Sequence, residues 1–450
     1  MISLLIAIPL LGAFTSIIWK KVTDVLLIIT PIINLSILAI LRPTLVEHLG
    51  GWKAPFGIPL VLDNASYITL FIINSVFLLL SLNRNLFDLN YGTVFLVLLT
   101  STNGLILTGD LFNSFVFLEI TAVSSYILAY HNKNPYGAYK YLIIGSVAGA
   151  FYLLSTILAY VNTGSLNMAH VSQTLNSSVI PAIALLYVVG LGVEAKLFPL
   201  AGWVPDVYAS GSPMTPVILG SMVTFTIMYL VGRIFLSVLH GSFLNVLYIL
   251  GLITVVFGEI SALRQNDLLR ALAYSSVAQA GLVISAISLK TSEAITAGYF
   301  HSLNDVTAKL ILFPVAVLLS KGFGKNKISG IAFSIASFSV IGFPLFAGFR
   351  SKLLILLSAF SKGDYVLPAV LLFAGVVEVA YFIRWNVRLW HESEGEECEM
   401  KKHTQFILLA LSLFIIYIGL FPDLYLSASE KIAKSLLNVS SYIEAVLGGM

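Results

Sequence analysis

Charge is scarce in this chain. Only 10% of its 450 residues are Asp, Glu, Lys or Arg, against roughly 25% in an ordinary soluble domain. So few charges cannot keep a water-facing surface in solution, and a soluble globular protein is excluded. Cysteine is nearly absent too. The single Cys398 rules out an internal disulfide and a metal or iron–sulfur centre built on this chain's own thiolates. Low-complexity linkers are missing, and a net charge of +3 is too small to suggest a nucleic-acid surface. What the chain has instead is apolar residues, 58% of the total, with a mean hydropathy of +0.95. Disorder and coiled coil are excluded by the same numbers.

The apolar residues fall into runs. Residues 1–19 lack a positively charged start, and Lys20 and Lys21 follow the run rather than precede it. That order predicts a first membrane span rather than a cleaved signal. Further runs cover 22–41, 63–81, 92–108, 110–130, 138–161, 180–200, 214–238, 243–263, 269–289, 293–320, 327–360, 366–391 and 404–421. Each is long enough to cross a hydrocarbon core of ~30 Å as a helix. Period-two alternation is absent, so the expected fold is an all-α polytopic membrane protein of about 14 transmembrane helices. The 327–360 run is too long for one straight helix and is expected to be broken. Lys and Arg in odd-numbered loops outnumber those in even-numbered loops and the tail, 14 to 7, with Arg233 counted in an even loop. The bias puts odd loops in the cytoplasm and both termini outside, in the cell membrane. The stretch 391–402 reads as a solvated acidic loop, and the tail 425–450 as a short amphipathic helix at the interface.

Ionisable residues inside such spans cost at least ~2.5–3.5 kcal/mol each to insert, so each needs a reason. Glu119, Glu194, Lys196, His301, Asp305, Lys309, Lys352 and Glu378 are the candidate ion-path residues. His301, Asp305 and Lys309 are spaced i, i+4, i+8 and share one helix face. An imidazole, a carboxylate and an amine in line can pass protons; equally, they can neutralise one another and bind neighbouring helices. Glu259 lies near the end of its span and is expected to face water. The remaining histidines sit in loops or at span ends with no shared spacing, so no metal site is expected. Pro199 follows Glu194 and Lys196, and Pro344 precedes Arg350 and Lys352. Each proline breaks a helix and frees carbonyls that must face a cavity rather than lipid. The broken spans are the seventh and twelfth. Their odd offset suggests two inverted five-helix repeats, spans 4–8 and 9–13. The expected organisation is N-terminal helices 1–3 (1–91), a first repeat (92–238), a second repeat (239–391), and a C-terminal part (392–450) with the acidic loop, helix 14 and a short tail.

Six motifs carry a resemblance. They are GGWKAPFGIPLVLD (50–63), GDLFNSFVFLEI (109–120), FPLAGWVPDVY (198–208), RQNDLLRALAYSSVAQAG (264–281), HSLNDVTAKLILF (301–313) and GFPLFAGFRSKLLIL (342–356). In this order the chain resembles the D-type subunit of Mrp sodium/proton antiporters. It is also similar to the antiporter-like subunits of complex I and of membrane-bound hydrogenases. The resemblance implies fourteen helices, broken seventh and twelfth helices, and an ion path along the membrane midplane. It implies that Glu119 is the acid of the fifth helix, Lys309 the central lysine and Lys352 the charged end of the path. His301 and Asp305 fall where relatives often carry histidine or an acid. Two positions depart from the pattern: the seventh-helix lysine falls on Glu194 and the eighth-helix lysine on Phe225. Lys196 is two residues from Glu194, roughly 200° around a helix, and replaces the missing lysine only where the break turns it inward. The short tail also sets the chain apart from the distal antiporter-like protein of complex I, which adds a long lateral helix.

The expected function is therefore that of an antiporter-like membrane subunit of a multisubunit complex. It would move H⁺, or exchange H⁺ for Na⁺, and partner subunits would drive it. Those partners are other Mrp-like membrane subunits, or a peripheral redox arm of hydrogenase, sulfur-reducing or NADH-dehydrogenase type. The chain carries no cofactor motif and is not expected to catalyse a reaction alone. The alternative is a degenerate duplicated copy with a mainly structural, linking role. A self-sufficient transporter of an organic solute is disfavoured, and it would need a midplane pocket large enough for the solute.

Overall fold

The computed structural model describes residues 1–83, 91–130, 134–391 and 400–448. Arg84, His131, Lys133, Cys398 and most of the acidic stretch 391–402 lie outside the described residues. Every apolar run forms helix. In chain order the elements are α1 (Leu4–Ile18), α2 (Thr23–Ile40), β1 (Leu45–His48), β2 (Pro59–Leu62), α3 (Asn64–Leu82), α4 (Gly92–Leu107), α5 (Leu111–Ala129), α6 (Tyr136–Thr163), the short α7 (Met168–Thr174) and α8 (Ile180–Gly192). Then come α9 (Val204–Ser210), α10 (Thr215–Val238), α11 (Leu244–Leu263), α12 (Leu268–Ser288), α13 (Ser292–Leu318), α14 (Lys327–Ile341) and α15 (Ala347–Ser361). The chain continues through α16 (Val366–His391), α17 (Lys402–Leu420), α18 (Asp423–Leu437) and α19 (Val439–Leu447).

Among the described residues, nine helices are long and apolar enough to cross a membrane. α1, α4, α8 and α14 are shorter apolar helices. α13 has 27 residues but carries Glu293, Asp305 and Lys309. The helices that are buried all round and those that face out differ in a way a bilayer explains. α10 is buried along its whole length and α12 almost so. On outer helices, Ile18, Val161 and Val376 are largely exposed although apolar. An apolar exterior around a core that holds the polar side chains is the arrangement lipid demands. The chain is a membrane protein.

The all-helical expectation misses one element. β1 and β2 pair antiparallel, from Leu45 opposite Leu62 to His48 opposite Pro59. The Glu47 carboxylate of this hairpin accepts from the backbone N–H groups of Ile2 (2.7 Å) and Ser3 (3.2 Å). It thereby satisfies donors that the start of α1 leaves open. The strands are four residues each, too short for alternation to be read.

The tail also differs from expectation. Instead of one interfacial helix it forms α18 and α19, and Ile432, Ala433 and Leu436 of α18 are fully buried. Tyr425 and Thr307 of α13 share a hydroxyl contact at 2.5 Å, and Ser237 Oγ donates to the Leu436 carbonyl. The apolar face is thus spent on protein.

Arg233 is not a loop residue. It is 3% exposed within α10 and pairs with Asp63, which caps the start of α3. Its guanidinium also donates to Tyr229 Oη at 3.0 Å and lies 4.7 Å from the centre of the Tyr442 ring. This one side chain ties α3, α10 and α19 together. At another face, Asp206 accepts from Lys140 (2.7 Å) and Arg270 (2.9 Å), joining α6, α9 and α12. Breaking a buried pair by removing one partner strands the other charge, at about 3–5 kcal/mol. Asp63→Ala is therefore expected to lower thermal stability clearly, read as a drop in the aggregation temperature of the detergent-purified protein. Arg270→Ala, at a partly exposed pair, is expected to change it little.

Candidate functional site

Two helices break inside the protein, where the prolines predict. α8 stops at Gly192 and the chain resumes as helix near Leu200. α14 stops at Ile341 and α15 starts at Ala347. At the second break Gly342 has φ +89°, a left-handed conformation that costs a residue with a Cβ. Its missing Cβ also leaves room for Lys352, whose Cδ would lie only 3.0 Å away. At the first break the left-handed residue is Lys196 itself, at φ +61°.

That backbone turn decides where Lys196 goes. Lys196 is 1% exposed. Its Nζ donates to Thr224 Oγ1 (2.6 Å), Ser276 Oγ (3.1 Å) and the Leu219 carbonyl (3.4 Å). Leu219 opens a π-helical turn, Leu219–Val223, in α10. A π turn shifts the hydrogen-bond ladder and leaves carbonyls for other donors. Thr224 directly precedes Phe225. The Lys196 ammonium, arriving from the break, thus reaches the residue next to position 225. Phe225 itself is fully buried.

Glu194 lies in the same break, 5% exposed, and accepts from Tyr141 Oη at 2.7 Å. Tyr141 stacks on Trp203 at 3.7 Å. Glu119 of α5 is half-buried and packs over Gly149 of α6, where a Cβ would meet its Oε1 at 1.9 Å.

The α13 residues do not act as one stripe. Lys309 pairs with Asp305 on its own helix. Gly220, in the same π turn that receives Lys196, lies against Lys309 Cδ at a would-be Cβ distance of 3.5 Å. Lys196 and the Asp305–Lys309 pair therefore share one neighbourhood. His301 turns elsewhere. Its Nδ1 lies 2.9 Å from Ser351 Oγ and its Nε2 lies 2.8 Å from Gln279 Oε1. Gln279 Nε2 donates to Glu378 at 2.8 Å, and Glu378 pairs with Lys352. Because the Gln279 amide nitrogen faces Glu378, its carbonyl oxygen accepts, which assigns the His301 hydrogen to Nε2. Lys352 also donates to the Ile341 carbonyl at 3.2 Å, at the end of the broken helix.

All eight sequence candidates are found in the interior or at its edge, in two clusters. The first holds Glu194, Lys196, Asp305 and Lys309, with Glu119 beside it. The second holds His301, Glu378 and Lys352. The residues between them were not singled out from the sequence. Ser276 binds Lys196 and Gln279 binds His301, and they are one turn apart on α12. Both lie in the motif ALAYSSVAQAG, where two serines and a glutamine inside an apolar span were the available signal. Glu259 was expected to face water; it is instead 0% exposed, because α12 and α16 cover that side of α11.

A separate apolar crevice of about 460 Å³ opens between α3, α13, α17 and α18. It is lined by Tyr67, Leu303, Thr307, Phe414 and Tyr425 and contains none of the clustered charges.

Comparison with known proteins agrees with this fold. The chain matches the NADH:quinone oxidoreductase/Mrp antiporter transmembrane family over residues 108–378. It is 33% identical over 369 residues to the N-type subunit of the NADH-quinone oxidoreductase of Desulforudis audaxviator, a match that covers 75% of this chain and 74% of that one. It is 28% identical over 436 residues to the D-type subunit of the Na(+)/H(+) antiporter of Alkalihalophilus pseudofirmus, covering 89% and 88%. A chain of the membrane-bound sulfane sulfur reductase, an archaeal respiratory membrane complex, superposes with a TM-score of 0.91 at 33% identity, over 99% of both chains. A chain of the Mrp complex from Dietzia sp. DQ12-45-1b reaches 0.92 at 22% identity, over 99% of both, a likeness of fold alone. This chain is a membrane protein of the NADH:quinone oxidoreductase/Mrp antiporter family.

Proposed function

We propose that this chain is an ion-translocating subunit of a multisubunit membrane complex, moving protons along its buried polar groups. The route runs from Glu119 and Glu194 through Lys196 to Lys309 and Asp305. It then passes along the polar face of α12 to His301, Gln279, Glu378 and Lys352. One observation carries the reading: Ser276 and Gln279, a single turn apart, contact the first and second clusters respectively. Asp305 Oδ1 is buried with no protein partner, the kind of place an internal water occupies. Such a water would complete the step towards His301, one turn earlier on α13.

The residue chemistry supports proton transfer. Each ion pair is a donor and an acceptor in contact, so a proton arriving at one end changes which partner is charged. Lysine and carboxylate in a low-dielectric interior respond strongly to such a change. Na⁺ exchange receives less support, since the carboxylates of the two clusters are already paired with lysine or hydrogen-bonded. The reading includes fourteen spanning helices, with 92–238 and 239–391 as inverted repeats. The two breaks, each associated with one buried lysine, support the repeats. Loop charge supports odd loops on the cytoplasmic side and both termini outside, and removing Arg233 from the even loops strengthens that bias.

The partners proposed are other membrane subunits and a peripheral redox arm that supplies the driving energy. The 33% identity to a sulfane sulfur reductase chain and to an NADH-quinone oxidoreductase chain, beside 28% to an Mrp-type D subunit, supports the redox-driven type. A degenerate, structural copy is disfavoured because Lys196 brings an ammonium to Thr224, the residue before Phe225.

The assembled complex in liposomes is the test. Lys309→Ala is expected to reduce proton movement by roughly 10²-fold, the scale of losing a proton-transfer group, while the complex still assembles. Proton movement equal to wild type would leave the chain with a linking role only. Gln279→Leu keeps the side-chain volume but removes both hydrogen bonds. It is expected to uncouple the clusters and slow proton movement by about tenfold or more, measured in the same vesicles.

A further inference from the structure

Glu259 is the buried acid that the route above does not use. It lies on α11, four residues before the helix ends at Leu263. It is 0% exposed, and neither carboxyl oxygen has a hydrogen-bond partner within ordinary geometry. The groups facing it are the Glu378 carboxyl and the Tyr381 hydroxyl of α16 and the Lys352 ammonium of α15. Tyr381 donates to Ser275 Oγ at 3.0 Å. Both Glu378 oxygens are already occupied, one by Gln279 and one by Lys352.

The charges of this group do not balance. One ammonium, that of Lys352, faces the two carboxyls of Glu259 and Glu378 in a buried site. An uncompensated buried carboxylate costs several kcal/mol. A cation could supply the missing charge, but hard cations want about six oxygen ligands. Here only the two Glu259 oxygens are uncommitted. Among the described residues no three His, Cys, Asp or Glu side chains gather in metal-binding geometry. A proton needs only one oxygen and one acceptor.

We propose that Glu259 and Glu378 form a carboxyl pair beside Lys352 that holds one proton when Lys352 is charged and two when it is neutral, making Glu259 a further proton-carrying residue of the second cluster. In one state Lys352 is an ammonium, Glu378 a carboxylate and Glu259 a carboxylic acid. In the other, an N–H bond of Lys352 has broken and an O–H bond has formed on Glu378, leaving a neutral amine and two carboxylic acids. The group carries no net charge in either state. The Glu259 proton is then released towards the α11–α12 loop, which begins roughly one helical turn away. The Glu378 proton passes to the vacated Glu259 carboxylate, and the next proton arriving along the path restores the Lys352 ammonium. This role rests on the proton-moving reading above, whereas the shared proton itself does not.

The test uses the assembled complex with Glu259→Gln and Glu259→Asp, measured in two ways. Proton movement in liposomes across a pH series is the first. Glu259→Gln is expected to slow it about tenfold and to flatten its pH dependence, and Glu259→Asp to restore part of both. Difference infrared spectroscopy of the complex, titrated through the same pH series, is the second. It is expected to contain a protonated-carboxyl band that is lost in Glu259→Gln and shifted in Glu259→Asp. A Glu259→Gln complex with wild-type rate, pH profile and carboxyl band would overturn the proposal. If Glu259→Gln does not assemble, the shift of the band in Glu259→Asp decides, and an unshifted band overturns the proposal. If Lys309→Ala moves protons normally while the Glu259 band behaves as expected, the transport reading fails and the shared proton stands.

Discussion

Carbonyls set free by irregular backbone help hold two lysines of this protein's interior, Lys196 and Lys352. A helix in lipid must satisfy its own backbone, and an interrupted one leaves carbonyls exposed. Here those acceptors do not face lipid. The Leu219 carbonyl, at a π turn of α10, accepts from Lys196, and the Ile341 carbonyl, at the end of α14, accepts from Lys352. The end of a helix also carries partial negative charge, which favours an ammonium there. The interruptions and the buried lysines thus justify each other. The remaining local features follow: a left-handed Lys196, a glycine at 342, and a wholly buried α10 between the breaks.

A second constraint is that no single helix can carry the polar groups across the bundle. The break after α8 brings two, α13 three and α15 and α16 one each, and α12 links them through one turn of its polar face. Ser275, Ser276 and Gln279 contact Tyr381, Lys196 and His301 respectively. Small hydroxyl and amide side chains suit this place because they donate and accept without adding charge. Ion pairs at both ends and neutral groups in the middle keep the unpaired charge low at each point.

Much of this was legible in the sequence. The runs, the prolines at 199 and 344, and the rarity of charge dictated a broken-helix membrane fold, because lipid leaves few alternatives. The buried charges were legible for the same reason. Contacts across the bundle were not. Spacing put His301, Asp305 and Lys309 on one face, yet two neighbouring helices divide that face, and His301 joined Lys352 and Glu378. Glu259 looked peripheral because position along a helix says nothing about what covers it. Arg233 looked like a loop charge because nothing local announces Asp63, 170 residues earlier. The β1–β2 hairpin was too short to show a period. Lys196 was the hardest case: periodicity assumes regular backbone, and its placement depends on one left-handed residue.

The central claim is that the first cluster works because Lys196 stands in for the two lysines missing at 194 and 225. Lys196→Met keeps the length and apolar stem of the side chain and removes only the ammonium. In liposomes bearing the assembled complex, the account predicts that this single change slows proton movement by roughly 10²-fold with assembly intact. Proton movement at the wild-type rate in Lys196→Met would contradict it, because the path would then not pass through the first break.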